Sequence, residues 1–455
     1  MSTISTNPPS GMRDFPPEEL ACRRYIEKII RKVYESYGFV EIETPAIENL
    51  STLLGKYGEE GDQLIFRILH RREKLARALD GKPSESDLAD SALRYDLTVP
   101  FARFIANNPK LPRFFKRYQI QSVWRADRPG KGRFREFCQC DVDIIGSNSV
   151  IAEAEVCGAV ARVLKEVGLT EFNIHLNHRQ LLRRLICLAQ IPEQFEESSL
   201  VALDKLDKVG IEGVTKELRE RGIEEGSAKK LIELTNSNSN DNRSEIERLK
   251  SAFVGDQEAL GAISQLSEML DYCNGSPASG HLKLDCSLAR GLGYYTGPIF
   301  EIRVMDLKGS LGGGGRYDNL VGMFKGSPIP AVGFSIGFER LVLVAQEKKL
   351  MPYLSVGPDV LLCRFPDVEI SEVIKTAEFF RDKGLKVEIF PEPSKLGKQL
   401  SYAGEIKVKV AGILGSDELR EHKITLKQLE TGEQINIRVD EATEKILSWI
   451  KTGKK

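Results

Sequence analysis

Residues 118–146, YQIQSVWRADRPGKGRFREFCQCDVDIIG, decide the fold of this chain. Both ends of the stretch are predicted to be strands, because β-branched and aromatic residues occur there among polar ones. Between them, residues 128–133 (RPGKGR) combine cations with glycine and proline, as is typical of a turn. Such a cationic hairpin fits a nucleoside triphosphate, the end of an RNA, or both, and a solvated basic loop is the alternative.

Parts of this stretch resemble motif 2 of the class II aminoacyl-tRNA synthetases, namely residues 125–127 (RAD), the basic loop and residues 135–137 (REF). The continuation at residues 139–143 (QCDVD) is similar to the form found in the histidyl-tRNA synthetase family. Other motifs of that family follow in order, so the resemblance covers nearly the whole chain. It implies an α+β fold with a class II synthetase core, in which an antiparallel sheet is flanked by helices. It also implies a helical insertion and a C-terminal α/β domain of the anticodon-binding type.

Composition is that of an ordinary globular protein. The 455 residues are 41% hydrophobic and 29% charged, which predicts two to four domains with ample core. Lys and Arg total 65 against 66 Asp and Glu, giving a net charge of -1. Any contact with nucleic acid must therefore use local cationic patches rather than the overall charge.

Cysteine usage argues against metal and disulfide sites. Eight cysteines occur without a CxxC pair and with only five histidines, so we expect buried, reduced thiols and no zinc. The N-terminus lacks the pattern of a secretory signal, and no run approaches the ~18 apolar residues of a membrane span. We therefore predict a cytoplasmic protein without a membrane partner.

The N-terminal region carries two patterns that the resemblance interprets. A helix at residues 17–37, a strand at 39–44 and Pro45 resemble motif 1, which implies a homodimer. Residues 93–100 (LRYDLTVP) resemble the amino-acid-binding strand of the histidyl family. On a strand, Asp96 and Thr98 would share one face and suit an ammonium group, and an exposed strand face is the alternative.

The second half of the chain supplies three further motifs. Residues 290–297 (RGLGYYTG) resemble the histidyl signature, although Gly293 stands where the family commonly has a polar residue. Neither a dinucleotide fingerprint nor a P-loop occurs, so those nucleotide folds are excluded. Residues 312–315 are four glycines, which either admit a ligand close to the backbone or form a flexible loop. Residues 331–340 (AVGFSIGFER) resemble motif 3, a strand running into a helix.

The expected organisation has four segments. Two form the catalytic core, at residues 1–175 and 279–350, and a helical insertion lies between them at 176–278. Residues 356–455 alternate strands with helices and are predicted to form the C-terminal domain. There, Lys395, Lys398, Lys407 and Lys409 could contact phosphates or be an ordinary solvated surface.

The resemblance implies ATP-dependent ligation of L-histidine to tRNA(His) through a histidyl-adenylate. The implied catalytic residues are Arg125 and Arg290. The implied histidine-binding residues are Asp96, Leu97, Thr98, Arg125, Gln139, Asp143, Arg290, Tyr294 and Tyr295. Those implied for ATP are Arg125, Asp127, Arg133, Phe137 and Arg340. Mg²⁺ is expected to accompany ATP, but no carboxylate pair identifies its ligands.

Two other functions are compatible with the same fold. One is a catalytically silent relative that senses histidine or regulates another enzyme, and the other is a synthetase-like ligase that acts without tRNA. The presence of Arg125, Arg290 and Arg340 together with a C-terminal domain favours the tRNA ligase.

Overall fold

The computed structural model describes residues 4–130, 132–236, 241–289, 293–305, 307, 309–352 and 354–452. It divides into two compact units, Met1–Pro16 with Cys22–Met351 and Pro17–Ala21 with Pro352–Lys455. The finer boundaries expected from the sequence remain predictions. Within the described ranges, no helix is long and apolar enough to cross a bilayer.

The first part of the large unit contains seven helices and six strands in the described residues. In chain order they are α1 Pro17–Ser36, β1 Val40–Glu41, β2 Ile47–Asn49, α2 Leu50–Leu53, α3 Gly58–Gln63, β3 Arg67–Leu69, α4 Arg72–Leu79, α5 Glu85–Leu88, β4 Ala89–Leu93, α6 Thr98–Asn107, β5 Phe115–Trp124, β6 Glu136–Ile145 and α7 Ile151–Val167. The predicted hairpin is therefore confirmed, with β5 and β6 antiparallel on either side of the basic loop.

The rest of the large unit begins with a strand, continues as helices and returns to strands. Its elements are β7 Phe172–His178, α8 Arg179–Leu188, a 3-10 helix at Glu193–Phe195, α9 Glu196–Leu203, α10 Leu206–Glu220, α11 Glu225–Thr235, α12 Asn242–Ala252, α13 Gln257–Tyr272, β8 Leu282–Leu284, β9 Pro298–Val304, β10 Gly312–Arg316, α14 Asp318–Lys325, β11 Ala331–Gly337 and α15 Phe338–Glu347. Carboxylates of Asp241 and Asp256 accept backbone N–H groups at the starts of α12 and α13, as N-caps do.

One eight-stranded sheet organises this unit. Its strand order is β1-β5-β6-β11-β10-β9-β7-β8, and only the two outermost pairs, β1 with β5 and β7 with β8, are parallel. A smaller sheet of order β2-β4-β3 lies apart from it. The buried face of α7 supplies core side chains such as Val156, Val160 and Val163, since apolar residues recur there at helical spacing. The predicted α+β core with a mainly antiparallel sheet is confirmed.

Two sequence-based assignments are wrong in the N-terminal region. The strand expected at 39–44 is only Val40–Glu41 in the structure, and β2 follows after Pro45. The strand expected at 93–100 ends at Leu93, and helix α6 begins at Thr98. Pro100 lies within the first turn of α6, where proline is tolerated because its missing N–H would have no intrahelical partner.

The C-terminal unit is a small α/β domain, as predicted. Its elements are β12 Val360–Leu362, α16 Ile370–Asp382, β13 Val387–Ile389, α17 Leu396–Glu405, β14 Val410–Ile413, α18 Ser416–Arg420, β15 Lys423–Gln428, β16 Gln434–Arg438 and α19 Val439–Thr452. The strand order is β13-β12-β14-β15-β16, with the first three strands parallel and the last two antiparallel additions. Buried Phe380 and Trp449 contribute large side chains to its own core.

Candidate active site

Two adjoining cavities lie on the large sheet. The first, of about 360 Å³, is called the carboxylate cavity because Asp96, Asp141 and Asp143 line it. The second, of about 250 Å³, is called the cationic cavity, and its wall includes Arg133 and Asp127. Four residues line both cavities: Arg125, Phe137, Gly337 and Arg340. Ligands bound in the two cavities would therefore meet beside Arg125.

Strands β6 and β11 form the floor of the carboxylate cavity. Asp143 and Asp141 are paired with Gly333 and Ser335 across these strands, and alternate residues of a strand share one face. A β-carbon at Gly333 would lie 1.9 Å from Asp143 Oδ1. Glycine at this position therefore leaves the space that the carboxylate occupies.

The glycine run expected to be a ligand-contacting segment or a flexible loop is strand β10. It pairs with β9 on one side and β11 on the other, and Gly312, Gly313 and Gly314 line the carboxylate cavity. A β-carbon at Gly314 would lie 2.0 Å from the carbonyl oxygen of Gly333. Glycine is therefore required at position 314 because β10 lies very close to β11 there, in addition to lining the cavity.

Asp96 and Thr98 line the carboxylate cavity, but from a helix start rather than from a strand. Asp96 Oδ1 accepts hydrogen bonds from the Tyr57 hydroxyl at 2.9 Å and the Val99 backbone N–H at 3.0 Å. Burial raises the pKa of Asp96, and these two donors with nearby cations oppose the rise. Leu97 is fully buried and lines neither cavity, so the structure does not bring it to the site.

Asp143 is held from two sides. The Tyr317 hydroxyl donates to Oδ1, and the Arg117 guanidinium Nη2 lies 2.8 Å from Oδ2. Burial raises the pKa of Asp143, and the positive charge of Arg117 opposes that rise. Burial also raises the pKa of neighbouring Asp141 to about 7, with Arg117 opposing the shift and Asp143 adding to it.

Gln139 occupies the rim of the same floor. Its Nε2 donates to Ser335 Oγ at 2.9 Å, while its buried Oε1 has no hydrogen-bond partner among the described residues. An unpaired buried carbonyl oxygen is costly, which is consistent with a ligand donor such as an ammonium group completing it.

Tyr294 and Tyr295 are buried and line the carboxylate cavity, as predicted from the histidyl signature. Their ring centroids are 4.9 Å apart, and Tyr294 also contacts the ring of Tyr317 edge-on. Arg290, the second predicted catalytic residue, lies outside the described residues. A β-carbon at Gly293 would have Glu197 Oε1 at 3.9 Å as its nearest neighbour, so space does not explain glycine there.

Arg125 stands where the two cavities meet. Its Nε donates to the Tyr95 carbonyl oxygen at 3.1 Å, and its guanidinium lies 4.3 Å from the Tyr95 ring centroid and 5.2 Å from that of Phe137. Cation–π contacts and a single backbone bond fix the plane of the guanidinium while leaving donors for a ligand.

The cations of the second cavity have partners within the protein. Arg133 is 61% exposed and forms an ion pair with Asp127 at 2.7 Å. Arg340 donates from Nη1 to the Ser310 carbonyl oxygen at 2.6 Å, and burial next to Arg133 lowers its pKa. The structure brings these residues together with Phe137 and Arg125 in one cavity, and their binding of ATP stays a prediction.

Several residues of the site were not identified from the sequence. They are Tyr57, Tyr95, Arg117, Asp141, Ser310, Tyr317 and Ser335. Tyr317 lies two residues after the glycine run, which was a usable signal. The others depend on strand register and on loops that meet in space, so a single sequence does not mark them.

No described group of three or more His, Cys, Asp and Glu side chains could hold a metal ion. Asp143 is already paired with Arg117 and Tyr317. The residues that the structure describes at this site therefore do not identify a ligand set for Mg²⁺.

Two family models match this chain. The histidyl-tRNA synthetase model matches residues 11–341, and an anticodon-binding-domain model matches residues 362–449. The chain belongs to the histidyl-tRNA synthetase family. Similar relatives include proteins named histidine–tRNA ligase from Porphyromonas gingivalis, 41% identical over 96% of this chain and 97% of that protein, and from Christiangramia forsetii, 42% identical over 94% and 96%.

Solved structures agree with this family assignment. A histidyl-tRNA synthetase from a Nostoc species superposes with a TM-score of 0.81 at 30% identity, over 98% of this chain and 100% of that one. A Bacillus halodurans structure titled as an ATP phosphoribosyltransferase regulatory subunit/histidyl-tRNA synthetase has a TM-score of 0.70 at 22% identity, covering 88% and 97%. The second likeness shows the fold alone.

Proposed function

We propose that this protein ligates L-histidine to tRNA(His) in two steps, with ATP forming a histidyl-adenylate that is then transferred to the tRNA. The observation that carries the proposal is Arg125, which lines both the carboxylate cavity and the cationic cavity. Attack of a carboxylate on the α-phosphate brings two anions together. A fixed guanidinium at their meeting point lowers that barrier by electrostatic stabilisation and positioning.

The carboxylate cavity would bind histidine. Asp96, Thr98 and Gln139 are assigned to the ammonium group, and Asp143 and Tyr295 to the two ring nitrogens. The unpaired Oε1 of Gln139 supports the first assignment. Buried polar groups at both ring nitrogens would reject side chains that leave those groups unpaired.

The cationic cavity would bind ATP. Phe137 and Arg340 are assigned to adenine and the terminal phosphates, because arginine both stacks on a planar ring and neutralises phosphate. Arg133 would exchange its exposed ion pair with Asp127 for a phosphate. Mg²⁺ would enter on the phosphates of ATP, and Arg290 is assigned to stabilise the transition state.

The C-terminal unit would contact the tRNA, which the match of residues 362–449 to anticodon-binding domains supports. We also propose a cytoplasmic homodimer. Helix α1 is part of the motif 1 resemblance that implies a homodimer, but its apolar face is covered by this chain's own core at Ile26, Ile30 and Val33. Exposed Val40 on edge strand β1 and Phe114 directly before β5 are better candidates for a subunit contact.

Pyrophosphate exchange into ATP tests the assignment. We expect exchange that depends on histidine and is absent with the other amino acids, followed by charging of tRNA(His). Binding of histidine without any exchange would instead identify a sensor or regulatory relative. Exchange without charging of tRNA would identify a ligase that acts on another acceptor.

A further inference from the structure

Arg117 is the most deeply buried charged side chain at the site. It is the third residue of β5, has no solvent exposure, and lines neither of the two cavities. Its guanidinium packs 4.1 Å from the centroid of the Phe101 ring and lies 2.8 Å from Asp143 Oδ2. The cation therefore sits behind the cavity wall, in contact with a carboxylate that lines the cavity.

Strand register places this pair. Arg117 is directly opposite Asp143 in the antiparallel β5–β6 ladder, and Gln119 is opposite Asp141. Directly opposed residues have their side chains on the same face of the sheet. Arg117 Nη1 donates to Gln119 Oε1 at 3.2 Å, and Gln119 Nε2 donates to Thr44 Oγ1 at 2.9 Å. The guanidinium is thus oriented by a chain of side-chain hydrogen bonds.

A contribution to stability alone does not account for this cation. Burying an arginine carries a large desolvation cost, and a buried ion pair is frequently no more stabilising than apolar residues of the same volume. Arg117 Nε and Nη2 and Asp143 Oδ2 have no partner in hydrogen-bond geometry among the described residues, although Nη2 lies 2.8 Å from Oδ2. An incompletely satisfied buried cation indicates a function for its charge.

We propose that Arg117 is a positioning residue that determines specificity for histidine, by holding Asp143 ionised and oriented to accept the ring N–H of the substrate. The inference rests on the proposed function, because it assigns a partner to the imidazole. Tyr317 donates to Oδ1 of the same carboxylate, so Arg117 and Tyr317 together fix its plane.

The charge of Asp143 depends on the ionisable groups around it. Those that face it or interact with it from the surrounding elements are Arg117 on β5, Asp141 on β6, Asp96 before α6, Tyr34 on α1 and Tyr317 after β10. Arg117 is the cation that opposes the rise in the pKa of Asp143. Removal of Arg117 should therefore raise the pKa of Asp143 further. As the pH is lowered, Asp143 would then become protonated, and histidine recognition would be lost, at a higher pH than in the parent protein.

A double-mutant cycle tests the proposal. Asp143→Asn and Arg117→Met should each lower kcat/KM for histidine by about 10²-fold, mostly through KM, with little change in KM for ATP. If Arg117 acts through Asp143, the double variant should lose about as much as either single variant. Losses that multiply to about 10⁴-fold would show that Arg117 acts independently of Asp143 and would overturn the proposal.

Folding is controlled within the same design. Arg117→Met leaves a buried carboxylate unpaired, whereas the double variant leaves no unpaired charge and is expected to fold. If Arg117→Met alone unfolds, Asp143→Asn is compared with the double variant. Equal kcat/KM values for histidine in these two proteins would support action of Arg117 through Asp143. Arg103→Met breaks an ion pair with buried Glu48 away from both cavities and serves as the matched control. It should leave KM for histidine unchanged.

Arg117→Lys supplies a readout that a purely structural role would not move. Lysine keeps the charge but loses the planar fork, so kcat/KM for histidine should be partly recovered relative to Arg117→Met. When kcat/KM is measured against pH, its fall on the acid side should lie between those of the parent protein and the Met variant. Identical acid limbs in all three proteins would contradict the proposal. Histidine-dependent exchange by the parent protein establishes the proposed function separately, so the two can fail independently.

Discussion

The two cavities are built from the same sheet but hold their charged groups differently. In the carboxylate cavity, Asp96 and Asp143 are buried and are bound by Val99 on α6, by Arg117 on β5 and by two tyrosines directly before α3 and α14. In the cationic cavity, Arg133 is exposed at the end of a hairpin, and it is paired with a carboxylate of the same loop. A side chain fixed by burial is ready for its ligand, whereas Arg133 must exchange one anion for another.

This difference predicts that amino-acid selectivity depends on the carboxylate cavity and that ATP binding depends on the cationic cavity. Substituting the buried carboxylates should change which amino acid is accepted. Substituting the loop cations should change how ATP is held, with smaller effects because solvent already screens them. Arg125 lines both cavities and is assigned to the point where the carboxylate and the α-phosphate meet, so it should be the most sensitive position.

Arg125→Ala should have the largest effect. Loss of one preorganised charge-stabilising donor is expected to lower the rate of adenylate formation by about 10² to 10³-fold. The rate is measured by pre-steady-state adenylate formation at saturating histidine and ATP. A normal rate with an altered KM for either substrate would make Arg125 a binding residue only. Arg290→Ala is predicted to behave alike, and the same assay tests it.

Asp96→Asn should have an intermediate effect that is confined to the carboxylate cavity. The amide keeps the shape but loses the charge that would meet the ammonium group, and a hydrogen bond to a charged group contributes about 1.5 to 3 kcal/mol. KM for histidine should rise about 10 to 10²-fold, while KM for ATP should stay the same. An equal rise in both constants would show that the two cavities are not separable.

Arg340→Lys should have a smaller effect, mainly on ATP binding, although Arg340 lines both cavities. Lysine keeps the positive charge but cannot stack on a purine or form a planar fork. KM for ATP should rise by about tenfold, and affinity for histidine, measured by calorimetry without ATP, should be unchanged. Weaker histidine binding would show that Arg340 also contributes to binding in the carboxylate cavity.

Asp141→Asn should have the smallest effect on catalysis, and its main effect should be on stability. The folded protein keeps the Asp141 proton up to a pKa of about 7, whereas an unfolded aspartate loses it near 3.9. Between these values the folded state binds more protons, so the parent protein loses up to about 1.4 kcal/mol per pH unit as pH rises. The Asn variant should therefore gain relative stability from pH 4 to 7 in denaturant unfolding, and parallel curves would contradict this.

Local patterns were sufficient for the hairpin β5–β6 and for β11 running into α15. Their glycines, β-branched residues and cations lie close together in the chain. The assignment of residues 93–100 to a strand was wrong because Asp96 accepts the Val99 N–H at the start of a helix. An aspartate three residues before a helical N–H is a capping pattern, and that signal outweighs the resemblance to a strand.

The rest of the site depends on information that is not local. Arg117 and Asp143 are separated by 26 positions in the sequence. They meet because of the strand register of β5 and β6, which no motif in the sequence specifies. Tyr57 reaches Asp96 from a loop before α3, and Ser335 reaches Gln139 from the neighbouring strand. Such contacts follow from the assembled sheet, so sequence reasoning could place the motifs without finding their supports.

The glycines of β10 and β11 that line the carboxylate cavity have a consequence for inhibitor resistance. A β-carbon at Gly333 would collide with the Asp143 carboxylate, and one at Gly314 with the backbone of β11, in both cases at about 2 Å, so any other residue would displace Asp143 or push β10 away from β11. Side chains lining a drug site can mutate, but bare backbone offers no atom to exchange. An inhibitor whose ring lies flat on β10 and β11 would therefore contact a surface that the gene cannot alter and still encode a working enzyme.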